Sequence, residues 1–507
     1  MDGLAKKTEN GKTSIDVGKL KSTKHDCHYS PTSDQTLRSK SDSQLGYQKT
    51  ATQTELFGSV SQELTIMDEP DKWCIYRVPS KLRNVNEAAY TPQLLSIGLF
   101  HHGKPELEDM ETHKKMYTEN FYLRSWKSKD DLKRFIRDRK EKILRCYAGT
   151  IKIPIEKDPV EIILVDACFI IELLLLNSIT KNHENDYILR SPWLRKAVEQ
   201  ELILFENQLP YSLLEDLYEF AQPVRLHYQS RKGPQAQEQP QEYSTGDQDS
   251  PRDSLEIVIH DAKPVHNNFL ELASKFFKDH NEGKVITSGV KPKHFTDLVR
   301  HFMCSEHKQW KRTTIKNVYN MKKLAAAGVN FEPIKEDARL FIERDKEAAS
   351  KCKLNFTCFN NMNLKLTELR VKDDTECIVR NVMALEQFVY PKETYVCNYF
   401  LLMDQLVDTV EDVDFLVARK VIVNMLGSNE AAANMINGLC DHIMEESSCY
   451  VDICEDLNKH YESSWNRHIA TLKRVYFKDL WTASSTILGS AVLVFSIIGS
   501  IQSFKSF

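Results

Sequence analysis

The sequence predicts a mainly α protein: a single large helical domain with a short β-hairpin insertion and one C-terminal transmembrane helix. Three observations lead there. Glycine accounts for only 17 of 507 residues, about half the roughly 7% found on average, which disfavours a fold built on Gly-rich turns and phosphate loops. Apolar residues recur at helical spacing in several segments. Finally, no residue between Asp479 and Lys505 carries a charge. Composition narrows the function classes as well. Lys plus Arg is 68 and Asp plus Glu is 72, a net charge of −4 with a pI near 6.5, which argues against a strongly basic nucleic-acid binder. The 41% hydrophobic content supports a substantial core, while 28% charged residues and a mean hydropathy of −0.45 exclude a polytopic membrane protein.

At roughly 150 residues per domain the length allows about three domains, but the pattern resolves it differently. Residues 1–70 are rich in Lys, Ser, Thr, Asp and Gln with few apolar residues, and read as a disordered N-terminal arm. Residues 71–479 read as the helical domain, 480–504 as the transmembrane helix and 505–507 as a short tail. The N-terminus has no apolar run behind its lysines, so no secretory signal is expected. The twelve cysteines follow no C-x-x-C spacing, as expected of thiols in a reducing compartment. His25-Asp26-Cys27-His28 lacks a fourth metal ligand and a scaffold, and is read as chance.

Taken along the chain, helices are expected from Glu108 to about Arg124 and from Asp130 to about Tyr147. Val160 to Leu176 contains Glu161, Asp166 and Glu172 and is only 17 residues long, so it is read as a core helix and not a second span. Pro210 suits a first helical turn, where its missing N–H costs nothing. Tyr211, Leu214, Leu217 and Tyr218 follow it on one face. A disordered internal loop is expected at about 229–254. Leu354 to Leu369 alternates around Asn360-Asn361 and reads as the hairpin. Cys377 to Gln387 and Tyr395 to about Thr409 complete the helices. Leu480 to Phe504 exceeds the roughly 20 residues needed to cross a bilayer. Lys473, Arg474 and Lys478 precede it while Lys505 alone follows, which places the N-terminal domain in the cytosol. Such a span, followed by few residues, predicts tail-anchored insertion. Ser485 with Gly489, and Ser496 with Ser500, have the small-residue spacing that permits self-association.

No nucleotide, hydrolase, zinc-protease or EF-hand motif is present, so no catalytic residue, cofactor or metal is expected. The polar residues singled out instead are His101 and His102 between glycines, the acids Asp166 and Glu172 in their apolar run, and the triplet Glu206, Asn207 and Gln208. Buried acids must pair or shift in pKa, and Asp166 and Glu172 are read as core ion-pair partners, with Arg77 and Arg83 as candidate cations. His101 and His102 are read as structural hydrogen-bonding groups. Asp408, Glu411, Asp412 and Asp414 lack the glycine of a calcium loop and are read as a solvated helix edge.

Ile75 to Arg83, Asn86, Ala89-Tyr90, Pro92, Ser96-Ile97-Gly98, His101-His102-Gly103, Leu107, Met110-Glu111 and Lys114 resemble the opening of the plant "domain of unknown function 247" family. The resemblance continues through Asp166 to Leu173, Glu206 to Pro210, Ala327 to Val329, Arg380 to Gln387, Tyr395, Leu402 to Asp404, Asp412-Val413 and the C-terminal span. It covers roughly Trp73 to Phe507. Leu99-Phe100 and Phe205-Glu206 depart from the family's usual pairs. The resemblance implies a mostly helical cytosol-side domain with a C-terminal membrane helix, and it supplies no reaction. Some grass members are linked to pollen and stigma recognition in self-incompatibility, which implies partner binding or signalling for that subset. The expectation is therefore a non-enzymatic, membrane-anchored interaction protein with an unknown protein partner. The alternative is a membrane-tethered enzyme with a site around His101, His102 and Asp166.

Overall fold

The structure, a computed structural model, describes residues 61–64, 69–179, 183–224, 227–229, 256–258, 268–281, 289–304, 313–334, 339–345, 362–463 and 480–505. His25 to His28, most of the expected arm and most of the internal loop lie outside these residues. Helices dominate, as the patterning predicts. In chain order they are α1 (Ser80–Arg83), α2 (Asp109–Arg124), α3 (Lys129–Leu144), α4 (Pro159–Ser178), α5 (Pro192–Glu201), α6 (Tyr211–Ala221), α7 (Phe269–Phe276) and α8 (Phe295–Met303). They continue as α9 (Met321–Ala326), α10 (Thr375–Val389), α11 (Tyr395–Leu406), α12 (Val410–Ala418), α13 (Asn429–Leu439), α14 (Val451–Glu462) and α15 (Leu480–Lys505). The strands are β1 (Ser61–Leu64), β2 (Ile75–Tyr76), β3 (Tyr147–Ala148), β4 (Ile151–Pro154), β5 (His227–Gln229), β6 (Glu256–Val258), β7 (Val329–Ile334), β8 (Ile342–Asp345), β9 (Met362–Thr367), β10 (Leu369–Val371) and β11 (Ile422–Asn424).

The helix α4 is the centre of the first half. Asp158 caps it by accepting the Val160 N–H, and Pro159 opens the first turn. Fifteen of its 20 residues are buried, because α2, α3, α6 and α7 all pack on it. An apolar surface all round a helix needs such a sheath, and this explains a run that length and charge alone leave close to a membrane span. The helix α3 ends at Leu144, three residues before the expected Tyr147. There the chain turns extended, and Tyr147-Ala148 pairs in parallel with Ile75-Tyr76. Likewise α11 stops at Leu406, because Thr409 starts the next helix with a capping box to Asp412.

The hairpin expected within 354–369 is part of a mixed three-stranded sheet ordered β7-β9-β8. Met362–Thr367 forms its middle strand, antiparallel to Ile342–Asp345 and parallel to Val329–Ile334. The Asn360-Asn361 turn lies outside the described residues. Within the stretch read as an arm, β1 pairs antiparallel with β4, Ser61 opposite Pro154. β5 and β6 also pair antiparallel, His227 opposite Val258, and bring together the two ends of the internal loop.

The last helix, α15, has 26 residues, about 39 Å at 1.5 Å per residue. Its Ser484–Gln502 stretch has a mean hydropathy of 1.8 and none of it is buried. It is long and apolar enough to cross a membrane.

Candidate functional site

The triplet Glu206-Asn207-Gln208 lies in the irregular, wholly buried segment between α5 and α6. Backbone buried without a helix or strand ladder must find partners elsewhere, and these three side chains provide them. Glu206 is fully enclosed; its Oε1 accepts the Val78 N–H and the Arg83 guanidinium, and its Oε2 lies 2.9 Å from His101 Nε2. Asn207 accepts the Ile97 N–H at 2.6 Å and donates to the carbonyls of Leu95 and Glu201, each at 3.1 Å. Gln208 donates to Leu202 and Leu204 at 2.6 and 2.8 Å and accepts the Phe295 N–H at 3.1 Å. Burial works to raise the Glu206 carboxyl, but His101, Arg83 and the Val78 amide together carry it below the usual range. For His101 burial wins, and its imidazole sits below its ordinary value despite the carboxylate. A neutral ring facing an ionised, acceptor-only carboxylate must carry its proton on Nε2.

Asp166 on α4 anchors the preceding motif. Its Oδ2 accepts the Gly98 N–H at 2.8 Å, and its Oδ1 lies 2.5 Å from Lys114 Nζ on α2. Lys114 also donates to the Ser96 carbonyl at 2.8 Å and pairs with Glu111 at 2.5 Å. Burial lifts Asp166 to about 7 against the pull of Lys114. For Lys114, burial is outweighed by Asp166 and Glu111, which hold it charged. Gly98 has φ +74°, and a Cβ there would fall 2.3 Å from the Gln208 carbonyl oxygen and 2.4 Å from Tyr147 Oη. That oxygen accepts the Tyr147 hydroxyl at 2.8 Å, so glycine is required both by the backbone and by the space.

The expected cations for the two acids need correction. Asp166 pairs with Lys114, and Glu172 with Arg124, whose Nε is 2.8 Å away. Arg83 goes to Glu206 instead, and Arg77 donates to the Phe100 carbonyl at 3.0 Å with its guanidinium over the Phe100 ring. The reason is geometric: α2 packs along α4 and supplies both cations from its buried stripe. Asp412 also departs from the solvated reading. It is fully buried and accepts the N–H groups of Asp408, Thr409 and Lys322.

The structure thus brings His101 and Glu206 into one cluster, ties Asp166 to it through Gly98 and Gln208, and places Glu172 apart with Arg124. His102 joins none of these. Burial pulls its imidazole down to about 4, and neither ring nitrogen has a hydrogen-bond partner among the described residues. Two further polar centres carry no expectation from the sequence. Asn381 on α10 accepts the Phe205 N–H at 2.8 Å and donates to the Ala89 carbonyl at 2.6 Å. Glu386 pairs with Arg300 at 2.9 Å and accepts the N–H of Val396 and Cys397. Their signal was positional: both fall in the Arg380 to Gln387 run that carries the family resemblance.

An open groove of about 140 Å³ lies elsewhere, with Leu340, Ile378 and Phe400 among its apolar lining and His280, Arg370 and Asp374 among its polar lining. None of the seven singled-out residues lines it. Among the described residues no group of three or more His, Cys, Asp or Glu side chains could hold a metal ion.

The family model described as "plant protein of unknown function", DUF247, matches residues 75–495. The chain belongs to that family. The match spans the Val78–Glu206 bond, the Gly98 turn, Asn381 and most of α15, so the DUF247 region contains every polar centre described above. Among curated proteins, the UPF0481 protein At3g47200 of Arabidopsis thaliana is 24% identical over 464 residues, covering 86% of this chain and 87% of the relative. The putative UPF0481 protein At3g02645 of the same plant is 22% identical over 504 residues, covering 85% of this chain and 89% of the relative. No solved structure matches.

Proposed function

We propose that this DUF247 protein is a membrane-anchored, non-enzymatic interaction or signalling component, held by α15 with its helical domain on the cytosolic side and engaging a protein partner. The observation that carries the reading is the fate of the candidate polar residues. A substrate site needs convergent polar groups at an open pocket. Here Glu206, Asn207, Gln208, Asp166 and Glu172 are sealed in, His101 is buried beside Glu206, and their hydrogen bonds go to buried backbone groups, to one another and to the cations Arg83, Lys114 and Arg124. Burial of His101 and Asp166 weighs against the tethered-enzyme alternative around His101, His102 and Asp166, in which only His102 is partly exposed. The unburied apolar face of α15 supports the anchor, and Lys473, Arg474 and Lys478 ahead of it support the cytosolic side.

Three measurements test this. A fluorescent fusion of the full chain is expected at a membrane and the same fusion lacking residues 480–507 in the soluble fraction; a soluble full-length fusion would sink the anchor. A tag placed before Asp71 is expected to be digested by protease in intact microsomes, and protection would reverse the orientation. Proximity labelling from the anchored protein is expected to recover a reproducible set of protein neighbours. A set no different from that of an unrelated anchored control would count against an interaction role.

A further inference from the structure

Two cysteines outside every network above meet across a strand pair. β2 and β3 run parallel with Ile75 opposite Tyr147. Just before that register, the N–H groups of Cys74 and Ile75 both donate to the Cys146 carbonyl at 2.9 Å, so Cys74 and Cys146 begin the ladder side by side. Neighbouring strands lie about 4.8 Å apart, inside the roughly 4.4–6.8 Å Cα separation that a disulfide bridges. Both residues are free thiols, their side chains interact electrostatically, and the Cys146 thiol lies 3.5 Å from the Lys142 carbonyl oxygen. Their surroundings differ. Cys74 is buried, whereas Cys146 is partly open to solvent. The Cys74 thiol beside it and the nearby charges of Lys142, Lys293 and Lys72 hold the Cys146 thiol below its ordinary value against the effect of burial. The same interaction, with burial, pushes Cys74 up. A partly exposed sulfur whose pKa is moved downward, with a second thiol beside it on the neighbouring strand, has the arrangement found in oxidant-sensing cysteines.

We propose that Cys74 and Cys146 form a reversible two-cysteine oxidation site whose oxidant is a hydroperoxide, with Cys146 oxidised first and Cys74 resolving. In the first step the Cys146 thiolate attacks one peroxide oxygen and the O–O bond breaks. With hydrogen peroxide the leaving hydroxide takes up a proton as water, and Cys146 becomes a sulfenic acid, oxidised by two electrons as the peroxide is reduced. In the second step the Cys74 sulfur attacks the Cys146 sulfur and the S–O bond breaks. The departing hydroxide accepts the Cys74 proton and leaves as a second water. Two thiols and one peroxide give one disulfide and two waters, and a small-molecule thiol restores the starting state by exchange. The bond would lock the end of α3 to the strand that leads into the Val78–Glu206 contact. A pair that is reduced at rest agrees with a reducing compartment, where disulfides are transient and regulatory.

The test uses the purified full chain in detergent, titrated with hydrogen peroxide, quenched by alkylation and mapped as non-reduced peptides. The peptide containing Cys74 is expected linked to that containing Cys146 at lower peroxide than any other pair, and the link is expected to disappear with dithiothreitol. In Cys74→Ser a sulfenic-acid probe such as dimedone is expected to label Cys146 several-fold more than in the unaltered chain, since nothing resolves it. The melting temperature of the unaltered chain is expected to rise on oxidation and to return on reduction. The proposal is overturned if other cysteines oxidise while Cys74 and Cys146 stay fully alkylatable, or if folded Cys74→Ser gives no added labelling. Mapping of the unaltered chain decides the matter even where a variant fails to fold.

Discussion

Lys114→Met tests whether one buried ion pair holds the Ser96–Gly98 turn against α4. Methionine keeps the unbranched stem and the packing but deletes the ammonium, which leaves Asp166 without its cation and the Ser96 carbonyl without its donor. Breaking a buried pair by removing one partner costs about 3–5 kcal/mol, and an unmet buried carbonyl adds about 1–3 kcal/mol. Part of this returns when Asp166 takes a proton, which burial already favours up to a pH of about 7. The net expected loss is about 4 kcal/mol. Asp166→Asn alone is expected to cost less, because Glu111 remains 2.5 Å from Lys114. The double variant is expected to recover about 2 kcal/mol relative to the sum of the two, within the range for directly contacting residues. Equilibrium urea unfolding of the full chain in detergent, followed by circular dichroism, gives the four stabilities. If the two single losses add to the double within about 0.5 kcal/mol, the pair is not coupled and the reasoning fails.

Two other substitutions report on the same interior. Glu201 is buried with no ion-pair partner among the described residues, its Oε1 accepts the Gln93 N–H, and burial raises it from 4.5 to about 7. The folded chain therefore holds a proton that the unfolded chain releases near pH 4.5, so this group's stabilisation is full below that pH and is lost as pH rises through about 7. Glu201→Gln removes the dependence, so its thermal stability relative to the unaltered chain is expected to improve between pH 5 and pH 8 by at most about 3 kcal/mol; a constant difference across that range would refute the assignment. Gly98→Ala is expected to destabilise by at least about 2 kcal/mol, since it adds a positive-φ penalty to overpacking against backbone. A melting temperature unchanged by that substitution would contradict the geometry of the turn.

The helical architecture was legible because burial here follows period. Leu132, Phe135, Ile136 and Ile143 on α3, and Tyr211, Leu214, Leu217 and Tyr218 on α6, are the inward faces that spacing implies. Asp166 and Glu172 were legible as paired acids, but their partners were not, since a sequence carries no distance. A usable signal existed on α2. Lys114 and Arg124 fall in phase with Met110, Tyr117 and Phe121, so the two cations occupy core positions of the helix. Reading only apolar residues as core hides them. The role of Glu206-Asn207-Gln208 as substitute backbone partners was hidden for another reason. It depends on the segment being both buried and irregular, and Leu202 to Leu209 resembles a helix interrupted by a proline. Asp412 looked solvated because acids clustered around it, yet its capping of three N–H groups took it inside. The sheet around β9 was only half legible, because β7 joins it in parallel and leaves no hairpin signature.

The bonds that fasten the leading motif also impose an order of events on synthesis. Asn381 donates to the Ala89 carbonyl across 292 residues of chain, and Asn86 donates to Glu376 across 290. At about 5–20 residues per second a ribosome takes roughly 15 to 60 s to cover that distance. Through that interval Val78, Leu82, Ala89 and Tyr90 gain Phe205 but lack Ala384 and Leu385, with which they complete a small core. A nascent chain of this protein therefore presents an unfinished apolar edge for tens of seconds, long enough for chaperones to engage it, and one stalled before Asn381 cannot complete its own beginning.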